Sequence, residues 1–167
     1  MYKNTMPSRL FPSKILCWFA LLLWVVGAGV LGWFFMTGIT APGDDGRTAI
    51  QLKEAEHAFI LKEMRQLLQS VDGVIRGLSD PDTSQGRTQA ATAARSGGMG
   101  MAADANLALM LKLPLPFKQM GLSVHKDFDR LADAITEGIT SQQMLSQLSS
   151  ITSRCTACHE MFQLTAS

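Results

Sequence analysis

Residues 140–162 read TSQQMLSQLSSITSRCTACHEMF. Thr140 and Gln143 offer a capping box that opens a helix. Met144, Leu148, Ile151, Cys155, Cys158 and Phe162 then follow at spacings of 4, 3, 4, 3 and 4. That rhythm lays them along one face of a helix. Within the stretch, Cys155, Cys158 and His159 form Cys-x-x-Cys-His, which reads as a c-type haem attachment site. Two thiols add across the two vinyl groups of one haem, and the adjoining imidazole becomes the proximal iron ligand. Positions i, i+3 and i+4 share one helix face, as this chemistry needs. A thioredoxin-like pair wants a βαβ context, and a zinc site wants more ligands. The chain has 3 Cys, and Cys17 lies far upstream in an apolar run, where it reads as a small apolar residue. The haem-linked cysteines share a stripe with core residues, so the haem is expected inside the fold, against other helices.

Upstream, Thr140 is preceded by Gly138, which suits a helix C-terminus. The helix before it carries Phe117, Met120, Val124, Phe128, Leu131 and Ile135 on one face. Leu113-Pro-Leu-Pro requires an extended entry to that helix. Between residues 83 and 113 the reading is a helix that ends or breaks near Gly97, a Gly-rich turn, and a helical ANLALMLKL. The strongest helical pattern is Ile60, Leu61, Met64, Leu67, Leu68, Val71, Val74, Ile75 and Leu78. Thr48 and Gln51 are read as the capping box that opens it, and Asp80-Pro81 as its end. Thr40–Arg47, TAPGDDGR, reads as a juxtamembrane linker.

The N-terminal segment is of another kind. Ile15 to Met36 is apolar and uncharged, about 33 Å of helix, enough to cross a hydrocarbon core of roughly 30 Å. It exceeds the roughly 7–15 apolar residues of a signal peptide. Trp18 near one end, and Trp33, Phe34 and Phe35 near the other, resemble interfacial aromatic belts. Ala28 and Gly32 give a small-xxx-small spacing. Lys3, Arg9 and Lys14 are the only charges before Asp44. The positive-inside rule then puts residues 1–14 in the cytoplasm and the haem-bearing part in a bacterial periplasm. The expected divisions are 1–14 cytoplasmic, 15–36 transmembrane, 37–47 linker and 48–167 haem domain. A formal net charge of +1 gives no bias toward nucleic acid. The fold expected is all-α: an antiparallel four-helix bundle preceded by one transmembrane helix.

With the motif on the last of four helical stretches, the chain resembles cytochrome c′, the class II c-type cytochromes, over about residues 50–165. The resemblance implies that the first bundle helix crosses the distal face of the haem. Aligning Val74-Ile75-Arg76-Gly77 with the end of that helix puts Leu61 at the distal position. An apolar residue there implies five-coordinate iron open to NO or CO, whereas a Met implies a six-coordinate electron carrier. Three features depart from the family. Gln163 stands where a basic residue is common, His57 stands where an Arg is common, and the membrane anchor is added.

Other candidates surround this assignment. His57 is a candidate distal or propionate contact, and Met64 a candidate sixth ligand or core filler. Met99 and Met101, in the Gly-rich break, are weaker candidates for the sixth position. His125 reads as a core-satisfied or solvent-facing histidine. Lys112, Lys118, Lys126 and Arg130 read equally as a basic patch or a solvated face. The function expected is non-enzymatic: an anchored periplasmic carrier of electrons, or a binder of NO or CO, with a redox partner protein and room for a homodimer. The alternatives are a peroxidase-like or NO-reducing haem enzyme, or a haem subunit of a membrane respiratory complex. No distal acid–base pair is evident in the sequence for such catalysis.

Overall fold

A computed structural model of the chain describes residues 13–80, 83–103 and 107–166. Lys3, Arg9, most of the cytoplasmic segment 1–14, Pro81 and the start of ANLALMLKL lie outside the described residues. The described chain is mostly helical, and it divides into two units, Met1–Trp33 and Phe34–Ser167.

The described part of the first unit is apolar helix. Helix α1 runs Ser13–Thr37, and its stretch Lys14–Thr37 is long and apolar enough to cross a membrane. Its large side chains find no core: Trp18, Phe19, Trp24 and Trp33 are all exposed.

The second unit starts with the last turn of α1. Gly38 ends that turn, its N–H donating to the Phe34 carbonyl at 2.9 Å, with φ at +66°. A β-carbon there would lie 2.5 Å from the Pro114 nitrogen and 2.7 Å from the Leu113 carbonyl carbon. Both the left-handed backbone and the close passage therefore require glycine. Strand β1 (Thr40–Pro42) follows and pairs antiparallel with β2 (Thr48–Leu52). GDDGR between them closes a hairpin, with the Gly43 N–H donating to the Arg47 carbonyl at 2.7 Å.

This hairpin corrects the linker reading and the capping box assigned to Thr48 and Gln51. Ile50 and Leu52 are buried while Gln51 is exposed. That alternation is the period of a strand, and a helical box at this place would split the pair. Helix α2 (Glu54–Gly77) starts after Lys53, whose N–H is accepted by the Glu56 carboxylate at 2.9 Å. The Lys112 ammonium donates to the same carboxylate at 2.6 Å. That bond, with the Lys53 N–H, holds the Glu56 carboxyl below its ordinary value of 4.5. Its contribution to stability is thus present at neutral pH and lost as acid protonates it.

Helix α3 (Ser84–Ser96) ends at Gly97, and short helices α4 (Met99–Ala102) and α5 (Leu107–Lys112) follow. Helix α6 (Leu115–Glu137) enters through extended Pro114 and stops at Gly138, whose φ is +92°. Helix α7 (Ser141–Met161) opens with the expected box: Thr140 Oγ1 accepts from the Gln143 N–H, and Gln143 Oε1 accepts from the Thr140 N–H. It ends one residue early, because Phe162 is extended and starts β3 (Phe162–Ala166). β3 runs parallel to β2, with Ile50 opposite Leu164, so the sheet order is β1-β2-β3. Phe162 therefore leaves the helical stripe to which its spacing assigned it. Its strand partner lies over a hundred residues upstream.

Helix α2 packs on α3, α3 on α6, and α6 on α7. Gly77 permits the first contact, since a β-carbon there would meet the Gly86 carbonyl oxygen at 2.6 Å and the Ala90 β-carbon at 2.7 Å. The main core joins Val74, Ala94, Phe128, Leu131, Met144 and Ile151. A second cluster joins Ile50, Leu52, Ile60, Leu109 and Leu113, with Met64, Phe117, Phe162 and Leu164 packed against it. Phe128 is fully buried at the centre of the first. Phe128→Ala is expected to cost about 3–5 kcal/mol in urea unfolding. A midpoint unchanged from wild type would contradict this core.

The four basic residues of the third stretch do not form a patch. Lys112 pairs with Glu56, and Arg130 pairs with Asp127 at 3.0 Å. Lys118 is buried, its ammonium donating to the carbonyls of Phe35 at 2.5 Å and Met110 at 3.1 Å and lying 3.6 Å from the Phe35 ring centroid. It caps one carbonyl near the C-terminus of α1 and one near that of α5, where a cation suits the helix dipole.

Candidate functional site

A cleft of about 160 Å³ lies where α2, α6, α7 and β3 converge. Helix α2 contributes His57, Leu61 and Met64, one above another at i, i+4 and i+7. Helix α7 contributes Cys158 and His159 from its last turn. Phe117 of α6 and Phe162 of β3 close one side, their rings edge-to-face with centroids 5.6 Å apart. Leu164, Gln163 and Arg47 complete the lining.

The stripe read from α7 accounts for half of this arrangement. Met144, Leu148 and Ile151 are buried in the main core. Past them the same face rises toward the second cluster, so Cys155 and Cys158 are half-buried and His159 is exposed. The motif therefore lies at the edge of the helical core rather than within it. Cys155 does not line the cleft; its thiol donates to the Ile151 carbonyl at 3.5 Å. Cys17, Cys155 and Cys158 are all free thiols.

The thiols have little thiolate character. Burial pushes Cys158 up to about 11, and the neighbouring Cys155 adds to the shift. Burial also raises Cys155. A nucleophilic redox pair needs a lowered thiol pKa, supplied by a helix N-terminus or a nearby cation. These thiols occupy the last turns of α7, at the opposite end from that positive pole. No family model, curated protein or solved structure matches this chain.

The last regular hydrogen bond of α7 ends at the Cys158 carbonyl, and the carbonyl after it is met from outside the helix. The Phe162 N–H donates to the Cys158 carbonyl. The next carbonyl, that of His159, accepts from the Arg47 guanidinium at 3.2 Å. The same guanidinium reaches Gln163 Oε1 at 3.3 Å and pairs with Asp45 at 2.6 Å. Arg47 was not singled out as a site residue by its sequence. The available signal was the turn-forming GDDG just before it, flanked by two short apolar runs.

The remaining sequence candidates fall elsewhere. His125 is buried in α6 and its Nδ1 donates to the Gly97 carbonyl at 2.8 Å, a satisfied core histidine. Met101 faces a separate groove with Phe59, Lys62 and Glu63. Met99, in the same short helix, is not among the cleft residues.

The cleft offers one thiol, Cys158, with the His159 imidazole beside it, an apolar wall, and His57 and Arg47 as polar partners for carboxylates, while Cys155 lies one turn away outside the lining; in kind this donor set suits a haem. In size the cleft is smaller than the roughly 300–1,000 Å³ of ordinary small-molecule pockets. A group as large as haem enters only if Met64, Phe117 and Phe162 part from one another.

Proposed function

We propose that this chain is a membrane-anchored c-type cytochrome of the cytochrome c′ kind, with one haem bound covalently through Cys155 and Cys158 and His159 as the proximal ligand. The observation that carries this reading is the cleft. Residues chosen from α2 for a distal face, His57, Leu61 and Met64, line one space with Cys158 and His159 of the attachment motif. The serial packing of α2, α3, α6 and α7 supports an antiparallel four-helix bundle as the frame.

A bound haem supplies a one-electron iron couple and an open coordination position. The chain's own groups do the rest. Cys155 and Cys158 would hold the haem through thioethers, each S–H adding across one vinyl C=C with the hydrogen on the neighbouring carbon and no net oxidation. The His159 imidazole offers a nitrogen to iron. Leu61 has no donor atom, and with Met64, Phe117 and Phe162 it keeps water from the distal side. His57 and Arg47 line the same cleft and would donate hydrogen bonds to the haem carboxylates.

No carboxylate lines the cleft among the described residues, and His57 is its only imidazole besides His159. The apolar side chains of Leu61 and Met64 on the distal wall favour electron transfer or NO and CO binding over catalysis. The redox partner, whether a soluble protein or a membrane respiratory complex, meets the chain at the membrane.

In this reading α1 is an uncleaved single-pass anchor, residues 1–14 are cytoplasmic, and the haem domain occupies the bacterial periplasm. The length and apolarity of Lys14–Thr37 support the anchor. Membrane fractionation followed by N-terminal sequencing tests this. A coloured membrane protein beginning at or near Met1 is expected. A soluble protein beginning near Ala41 would mean that the segment is a cleaved signal.

A further inference from the structure

We infer that Arg47 is the positioning residue of the proximal histidine: a cap, supplied by the N-terminal hairpin, on the helix end that carries His159. The inference rests on the haem reading above for its functional consequence, and on geometry for its structural part.

The last four carbonyls of any α-helix lack partners within the helix. At the end of α7 the Phe162 N–H makes the last regular helical bond, to the Cys158 carbonyl, so the His159 carbonyl is the first of the four, and Arg47 Nη1 takes it. The sequence alone would not supply this bond, since residue 47 is 112 positions away. Strand pairing does. Thr48 stands opposite Phe162 in the parallel register of β2 and β3, so the residue before Thr48 falls beside the end of α7.

The guanidinium is held from the other side as well. Asp45 accepts from Arg47 Nε at 2.8 Å, and the Asp45–Arg47 pair belongs to the tight hairpin turn. Gln163 Oε1 accepts from Nη2, tying in the second residue of β3. Arg47 thus links the turn, the last turn of α7 and the start of β3 through one planar group. A lysine, as a point donor, reaches fewer of these acceptors. A cation at a helix C-terminus is favourable in itself. His159 is exposed, so few packing contacts fix its backbone, and the cap carries that task. The same guanidinium lines the cleft.

The test uses the full-length, periplasm-matured protein and two variants, Arg47→Gln and Arg47→Lys. Two quantities are read. The first is amide hydrogen exchange over residues 159–163. Loss of the cap is expected to speed it roughly threefold to tenfold in Arg47→Gln, with protection in α6 unchanged. The second is the iron–histidine stretching band of the ferrous protein by resonance Raman. It is expected to shift and broaden in Arg47→Gln and to fall between in Arg47→Lys. A purely structural cap would speed exchange and leave that band in place, which overturns the inference. Unchanged exchange overturns it too. A wild type that carries no haem after maturation would instead overturn the haem reading, and with it this role for Arg47.

Discussion

Changing both Cys155 and Cys158 to alanine is expected to give a chain with no covalent haem, colourless after denaturation, and markedly less stable than wild type. The two thiols are the only ones in the unit that holds the cleft, since Cys17 belongs to the first unit. Neither thiol is needed for packing by itself: Cys155 and Cys158 are half-buried, and the stripe's weight rests on Met144, Leu148 and Ile151. Cysteine to alanine at such positions would ordinarily cost about 1 kcal/mol or less each. The larger loss comes from the group they hold. A thioether-linked haem stays on the chain when it unfolds, so its stabilising effect would come from burying the apolar macrocycle and closing the iron–imidazole bond in the fold, where it would join α2 and α7. Thermal unfolding of the matured proteins reads the difference. In a domain of this size each 1 kcal/mol is worth roughly 4 °C. A double variant as stable as wild type, with its colour retained, would rule out thioether attachment.

The second large effect concerns the sixth position on iron. The wild type is expected to be five-coordinate and high-spin, and to bind CO when reduced and NO in either state. Leu61 and Met64 both line the cleft, so the competition between them is real. They are one turn apart, roughly 5 Å along the helix axis. Met64 also packs against the second core cluster, which occupies its side chain as filler. Leu61 offers no donor. Met64→Ala is therefore expected to leave the ferric and ferrous spectra almost unchanged. Leu61→Met is expected to convert the site to low spin and abolish CO binding, because a thioether ligand raises the potential and fills the position. A low-spin wild type whose Met–iron band vanishes in Met64→Ala would give the sixth position to Met64.

The helices and their ends were largely legible in the chain, because their causes are local. Thr140 with Gln143, Gly138 after α6, and Pro114 before it act on neighbours within a turn or two. The sheet was not legible for the opposite reason. Thr48-Ala-Ile-Gln satisfies a capping box by residue type, and only a partner at 162–166 turns it into a strand. Phe162 fits the helical stripe by spacing and is nevertheless extended, because the pairing with Thr48 outweighs one further helical residue. The same long-range pairing brings Arg47 to His159, so the most specific feature of the site was also the least visible in the sequence. The basic residues of α5 and α6 show a milder form of this. They are near in sequence, yet Lys118 is buried under Phe35 and Lys112 is drawn to Glu56. The distal residues were placed by resemblance rather than by pattern, and the cleft brings three of them to the motif.

The most direct test is the mass of the intact, matured chain after acid–acetone extraction. The account predicts the polypeptide plus one haem, with the added mass retained through extraction and located by digestion on the peptide containing Cys155 and Cys158. A mass equal to the bare polypeptide, from cells competent to mature c-type cytochromes, would contradict it.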